Sequence, residues 1–158
     1  MKKLVYCISL TLCCITFGTV HAKNVYPKIS YFYDGDTVKI NDGDAQYKLR
    51  ISDIDAPERQ QKHGLKSRRA LMKLCQHADI ILDLYDYDRY HRRLGQLTCD
   101  NQSVSEYMVS NGHAWLYRRY AQNPQLAQAE KHARQKRIGL WSDKRPIPPW
   151  QWRQNHPH

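Results

Sequence analysis

Acidic and basic side chains are concentrated in residues 50–59, with a spacing that could support hydrolytic chemistry. Asp55 ends a stretch with strand character, and Glu58 follows three residues later, across a rigid proline. In such an arrangement one carboxylate binds a metal ion while the other accepts a proton from water. Arg50 lies on the same predicted strand, and its guanidinium fits two oxygens of a phosphate. The alternative interpretation is an exposed strand end with ordinary surface charges.

Two further segments carry residues of the same kind. The first, Asp34-Gly35-Asp36-Thr37, presents carboxylates on a tight loop, as Ca²⁺ or Mg²⁺ requires, although the same residues form ordinary turns. The second, residues 86–95, mixes two tyrosines with three arginines in a connection between predicted strands. Phosphate binding by arginine and base stacking on tyrosine explain this mixture.

The elements that must position these segments follow from hydrophobic periodicity and turn residues. Strands are predicted at residues 25–33, 37–40, 45–54, 79–84 and 94–99. An Asp-Gly step at residues 42–43 favours a hairpin between the second and third strands. The helix predicted at residues 65–75 has apolar residues at helical spacing.

Two later helices are predicted from their terminal residues. Ser103 and Glu106 form a capping box, and the helix that they start ends at Gly112. The last helix has Asn123 as its cap, Pro124 at its first position and Gly139 as its end.

The resulting order, β-β-β-α-β-β-α-α, is dominated by hairpins and argues against a doubly wound parallel sheet. It predicts an α+β, mainly β fold: a five-stranded oligonucleotide-binding (OB) fold barrel with three helices packed outside. The proposed domain covers residues 23–143, followed by an extended tail, residues 144–158, that contains prolines and tryptophans.

Residues 1–22 have the three parts of a secretory signal peptide. Two lysines precede an uncharged apolar run, and small residues end at Ala22, the predicted cleavage site. The run of about 14 residues is shorter than a membrane-spanning helix needs. We therefore expect a secreted or periplasmic protein with no stable membrane association after cleavage.

The chain of 158 residues has 25 Lys and Arg against 15 Asp and Glu, a formal net charge of +10. This excess favours a polyanionic partner, either nucleic acid or an anionic surface, although a basic balance alone is common. Outside the signal segment only Cys75 and Cys99 remain, an even number in an oxidising compartment. They could form a disulfide or be two independent buried thiols.

Taken in order, these motifs resemble those of the thermonuclease family, the staphylococcal-nuclease-like domains. The resemblance rests on Asp34-Gly-Asp-Thr, Arg50 with Asp55-Ala-Pro-Glu58, Asp88-Arg-Tyr-His-Arg92, Gly112-His-Ala-Trp115, Tyr117-Arg-Arg-Tyr120 and Gly139-Leu-Trp141. It covers roughly residues 25–143. The resemblance implies an OB-fold barrel and Ca²⁺-dependent hydrolysis of DNA and RNA.

The resemblance also implies a role for each matching position. The expected metal ligands are Asp36, Asp55 and the Ala56 carbonyl; the catalytic residues are Arg50, Glu58 and Arg92; and the substrate-binding residues are Arg89, Tyr90, Tyr117 and Tyr120. In this fold the strand ending at Cys99 covers the helix ending at Cys75, which favours a disulfide between them.

Three functions compete for these features. The first is a secreted, monomeric, Ca²⁺-dependent endonuclease that cleaves DNA and RNA by in-line attack of water. The second is a non-catalytic OB-fold protein that binds nucleic acid, and the third is a protein that binds an anionic surface through its charge. The paired acids favour the enzyme, because a pure binding protein needs no carboxylates facing its phosphates.

Overall fold

The computed structural model describes residues 26–43, 45–119, 121 and 123–157. The predicted signal peptide and Tyr120 lie outside these residues.

A mixed β-sheet forms the centre of the fold. Eight strands are present in the described residues: β1 Lys28–Phe32, β2 Thr37–Asn41, β3 Gln46–Ile51, β4 Ile54–Asp55, β5 Ile80–Tyr87, β6 Arg93–Cys99, β7 Gln102–Ser103 and β8 Trp115–Leu116. The main sheet has the order β1-β2-β3-β6-β5, in which the β3–β6 pair is parallel and the others are antiparallel. The predicted α+β, OB-type fold is confirmed, with β1 and β5 as the edges of an open barrel over the described residues.

The predicted hairpin between β2 and β3 is confirmed by antiparallel pairing along both strands. The side chains of Asn41 and Asp42 accept hydrogen bonds from the amides of Gly43 and Ala45, each at 3.0 Å. Gly43 has φ 100°, a left-handed conformation that glycine adopts at little cost. Local turn chemistry therefore favours this connection.

The helices in the described residues are α1 Gly64–Cys75, α2 Val104–Ser110, α3 Pro124–Gln135 and α4 Pro149–Asn155, with a 3₁₀ helix at Gly139–Ser142. Helix α2 begins as predicted, because Ser103 accepts a hydrogen bond from the Glu106 amide. In α3, Asn123 caps the helix and Pro124 follows it.

Gly139 does not end α3, although its position in the sequence predicts that role. The helix stops at Gln135, and Arg137 then adopts a left-handed φ of 54°. Gly139 instead begins the 3₁₀ helix, and its backbone lies against Gly112. A Cβ added at Gly139 would be only 2.3 Å from the carbonyl oxygen of Gly112. The glycine is needed for a close backbone approach rather than for a helix stop.

The prediction of an extended tail at residues 144–158 is wrong for its second half, where α4 forms a fourth helix. Pro149 stands at the first helical position, where a fixed φ favours a helix and no amide is needed. Pro149 is buried, and the Trp150 ring packs edge-on against Trp115 with centroids 5.5 Å apart. Tertiary packing thus stabilises a helix of only seven residues.

The hydrophobic core lies between the sheet and helices α1 and α2. Residues with no exposed surface come from both layers, including Val38, Ile40, Leu49, Ile51, Leu71 and Met108. A disulfide joins Cys75 at the end of α1 to Cys99 at the end of β6, which confirms the predicted pairing. Over the part of the chain that the structure describes, every helix is too short or too polar to cross a membrane.

Candidate active site

A buried arginine lies at the centre of the candidate site. Arg50, near the end of β3, is 8% exposed, and its Nε lies 3.2 Å from Asp36 Oδ1. Its Nη2 donates to Asp55 Oδ1 at 3.1 Å, and its Nη1 donates to the carbonyl oxygens of Ile51 and Ile54. Burial alone would lower the pKa of Arg50, but the two aspartates raise it above its ordinary value. The guanidinium therefore remains charged and cross-links the ends of three strands.

The loop before β2 fixes the position of Asp36. Asp34 Oδ1 accepts hydrogen bonds from the amides of Asp36 and Thr37 at 2.9 and 2.7 Å. Asp36 in turn accepts from Thr37 Oγ1 at 2.8 Å and from the Ala56 amide at 2.6 Å. The loop lies against α1 at Gly35, because a Cβ added there would be 1.8 Å from a side-chain oxygen of that helix.

The acidic side chains of the site are crowded and partly desolvated. Burial, followed by the charge of Asp36, raises the pKa of Asp34 well above its ordinary value. Burial also raises the pKa of Asp55, and the hydrogen bond from Arg153 opposes that change. Both shifts have the sign expected where burial disfavours the charged form of a carboxyl group.

Arg153, which no sequence motif indicates, contacts two of the predicted site carboxylates. Its Nη1 lies 2.8 Å from Glu58 Oε1 and 3.1 Å from Asp55 Oδ1, and its Nη2 lies 2.8 Å from Asp55 Oδ2. Burial alone would lower the pKa of Arg153, but hydrogen bonds and charge from these acids raise it above its ordinary value. The contacts join residues 95 and 98 positions apart, so local spacing does not reveal them. The prolines that start α4 are the one sequence feature that indicates a helix here.

The connection between β5 and β6 presents a second arginine. Asp88 accepts hydrogen bonds from the amides of Tyr90 and Arg92 and from Arg92 Nε, the last at 2.7 Å. Partial burial opposes the ionisation of Asp88, but these hydrogen bonds hold its pKa below the ordinary value. The Tyr90 ring is 63% exposed and lies within 4.8 Å of the Arg89 guanidinium and 5.6 Å of that of Arg92. The turn thus presents cations and an aromatic face together.

These segments surround one open cleft of about 1160 Å³. Seven of the predicted site residues line it: Asp36, Arg50, Glu58, Arg89, Tyr90, Arg92 and Tyr117. Arg119, Trp150 and Arg153 line it as well. Asp55 and Ala56 are buried beside the cleft rather than lining it, and they join the site through Arg50 and Asp36. The structure therefore brings together the predicted residues that it describes.

The donor chemistry of the site fits a hard divalent cation. Asp36 and Asp55 each use three of about four acceptor positions in these contacts, which leaves each carboxylate capacity for another partner. In the inner cluster of the site three carboxylates, those of Asp36, Asp55 and Glu58, contact two guanidinium groups, those of Arg50 and Arg153. Within the described residues no group of three His, Cys, Asp or Glu side chains is placed to hold a metal ion by itself. Any such ion would need further oxygen ligands from water or substrate.

The OB-type sheet places buried carboxylates and arginines at one open cleft, the arrangement expected of a nuclease-like hydrolase. Comparison with known proteins agrees with this class. Residues 48–143 match the family described as staphylococcal nuclease homologue, and the chain belongs to this family.

Several relatives have informative names. An uncharacterized endonuclease of Escherichia coli O157:H7 is 36% identical over 131 residues, which cover 82% of this chain and 86% of the relative. One from Haemophilus influenzae is 40% identical over 121 residues, covering 76% and 68%. A probable staphylococcal-like nuclease of Oryza sativa subsp. japonica is 42% identical over 110 residues, covering 70% of this chain but 33% of the relative. The chain thus spans about a third of that plant protein.

Proposed function

We propose that this protein is a Ca²⁺-dependent endonuclease that hydrolyses phosphodiester bonds of DNA and RNA. The observation that carries the proposal is the single cleft in which Arg50 and Arg92 face the carboxylates of Asp36 and Glu58. A pure binding site for phosphates would gain nothing from these acids, since they repel the ligand. The names of the relatives, nuclease and endonuclease, support the same activity.

The residues divide the reaction between them. Asp36, Asp55 and the Ala56 carbonyl would hold Ca²⁺, which when bound offsets the charge of the phosphate and orients it. Glu58 would accept a proton from the attacking water. Arg50 and Arg92 would bind the phosphate oxygens on which negative charge grows, where fixed donors contribute most.

The two arginines are not equally available to a phosphate. Contacts with Asp36, Asp55 and two carbonyl groups take four of the five N–H donors of Arg50, so at most one remains. The ion pair of Arg92 with Asp88 uses Nε and places Arg92 in the wall of the cleft. Arg92 is thus the main phosphate-binding arginine, and Arg50 mainly organises the carboxylates.

The aromatic residues would bind the bases. Tyr90 is exposed beside Arg89 and Arg92, and Tyr117 lines the same cleft. Stacking on such rings contributes about 1–3 kcal/mol per base and tolerates any sequence. Tyr120 joins this proposal from its sequence position alone.

The test is cleavage by the purified protein of labelled single-stranded DNA, double-stranded DNA and RNA. We expect cleavage with Ca²⁺, none with a chelator, and poor restoration by Mg²⁺, whose stricter octahedron suits these sites less. Glu58→Gln keeps the side-chain size but cannot accept a proton, so its turnover should fall by about 10²-fold or more. Unchanged cleavage in chelator would refute the metal dependence. Retained binding without any cleavage would identify a non-catalytic OB-fold protein instead.

We also propose that the protein is exported and acts as a monomer. The proposal rests on the tripartite character of residues 1–22 and on a site formed within one chain. Protein isolated from the producing cell should begin at Lys23. An intact Met1 in that protein would contradict export by cleavage.

A further inference from the structure

The C-terminal helix α4 lies outside residues 48–143, the segment that matches the family, yet it reaches the candidate site. Gln61, which is 6% exposed, connects the two regions. Its Oε1 accepts a hydrogen bond from the Glu58 amide at 3.2 Å, and its Nε2 donates to the Ile147 carbonyl at 2.6 Å. The backbone of Glu58 is therefore linked to the segment that carries α4.

Arg153 forms a second, independent link between α4 and the same glutamate. Its Nη1 bonds to Glu58 Oε1 while both of its terminal nitrogens bond to Asp55. Asp55 is fully buried, whereas the side chains of Glu58 and Arg153 are 29% and 40% exposed. The buried Asp55 thus fixes the guanidinium of Arg153, which in turn fixes the more exposed carboxylate of Glu58.

We propose that Arg153 is a positioning residue for Glu58, and that the C-terminal segment completes the active site. The inference rests on the proposed function, in which Glu58 is the general base. A glutamate at a loop corner has three rotatable side-chain bonds and would otherwise sample several rotamers. Bonding through Oε1 holds its carboxylate beside Asp55, where a water molecule bound near that residue would lie within reach.

The arrangement is compatible with a bound cation. The bonds from Arg153 and Arg50 use three of about four acceptor positions of Asp55, so the carboxylate keeps capacity for a metal. With Arg153 counted, the three carboxylates of the inner cluster still outnumber its two guanidinium groups. Arg153 can therefore bond to the acids while Asp55 keeps an acceptor position for the ion.

The test compares Arg153→Gln, Arg153→Lys and the control Gln151→Ala, an exposed residue of the same helix. A loss of about 10²-fold in turnover is the scale expected when a reacting group is displaced by about 1 Å. We expect Arg153→Gln to lower kcat on that scale with KM changed by less than about twofold, because substrate contacts are kept. Arg153→Lys should recover part of kcat, since an ammonium reaches one carboxylate but not both. The control should match the wild type.

A second measurement does not depend on activity. Amide hydrogen exchange of the metal-free protein should be faster over residues 55–61 in Arg153→Gln than in the wild type, with the core unchanged. If Arg153→Gln does not fold, Arg153→Lys supports the same comparison.

Three results would overturn the proposal. Unchanged kcat together with unchanged exchange would show that Arg153 has no role at Glu58. Increased kcat would show that Arg153 blocks the site, and increased KM at constant kcat would make it a substrate-binding residue. A wild type that cleaves no nucleic acid would refute the proposed function instead, while faster exchange in the variant would still show that Arg153 positions Glu58.

Discussion

Arg92 and Arg93 are neighbours in sequence but have different surroundings. Arg92 lines the cleft and is held by Asp88. Arg93 begins β6, and its guanidinium lies 4.6 Å from the centre of the Tyr87 ring and 5.7 Å from that of Tyr47. Arg92 belongs to the turn held by Asp88, whereas Arg93 is the first residue of the strand, so the two adjacent arginines have different neighbours.

Replacement of these arginines should therefore have unequal effects. Arg92→Ala removes the main phosphate donor, and loss of one such donor commonly costs about 10²–10³-fold in turnover. Arg93→Ala removes only cation–π contacts with tyrosine rings, and turnover should change less than about threefold. Steady-state kinetics on a single-stranded oligonucleotide measures both variants. Equal losses would show that Arg93 also reaches the substrate.

At the residue scale, short-range spacing predicted most of the candidate site. Arg50, Asp55 and Glu58 could be identified because a strand and a proline corner fix their mutual placement within nine residues. Arg153 could not, because its partners lie 95 and 98 residues away and only tertiary packing brings them together. The same holds for Gln61, whose role depends on a contact 86 residues away.

At the element scale, predictions were right where local chemistry decides the structure. The β2–β3 hairpin and the start of α2 depend on side chains that bond to amides a few residues away. The existence of α4 depends instead on packing against the distant Trp115, and the prolines that start the helix are its one local signal. Gly139 comes after the end of α3 and packs against Gly112, a contact that its place in the sequence does not reveal.

Two histidines connect the start of α1 to the segment after α2. His63 Nε2 lies 3.3 Å from His113 Nδ1, and the rings stack with centroids 5.5 Å apart. Burial, the neighbouring His113 and Lys66 lower the pKa of His63 from 6.5 to about 4. Burial also lowers the pKa of His113. Both imidazoles are thus neutral in the folded protein near pH 7.

This pair should make the fold sensitive to mild acid. The unfolded chain protonates His63 near pH 6.5, whereas the folded protein does so only near pH 4. Between these values the unfolded state binds more protons, so the free energy of unfolding should fall as the pH falls and this loss should be complete below pH 4.

Denaturant unfolding at several pH values between 7 and 4 measures this dependence. His63→Asn should reduce its slope, and asparagine tolerates the left-handed φ of 73° at this position. His77→Asn, which replaces an exposed histidine, is the control. Parallel pH curves for the wild type and His63→Asn would contradict the assignment.

At the scale of the whole molecule, positive charge is distributed unevenly between two grooves. The candidate active-site cleft is lined by five acids and five arginines, so its lining has no net charge. A second groove of about 850 Å³ is lined by six cations and one acid: Arg59, Lys62, Lys66, Arg69, Lys144 and Arg145, with Asp143. The grooves adjoin, because Pro57 and Trp152 line this one while the following residues, Glu58 and Arg153, line the cleft. The long-range attraction of a polyanion therefore originates beside the cleft rather than within it.

Binding of a long nucleic acid should accordingly depend on the second groove, whereas binding of a short one should not. The double variant Lys66→Gln/Arg69→Gln should raise the KM for a long single strand and leave a dinucleotide-sized substrate unaffected, because only the long strand reaches both grooves. Removing one cation that binds a phosphate should also reduce the slope of log K against log salt by roughly 0.7.

The control is the double variant Lys131→Gln/Lys136→Gln, which removes the same charge at exposed positions in and just after α3, outside both grooves. Equal effects of the two double variants would show that net charge matters and the groove does not. Fluorescence anisotropy in Ca²⁺ measures the salt slope of both double variants. Each is combined with Glu58→Gln, which is expected to bind nucleic acid without cleaving it.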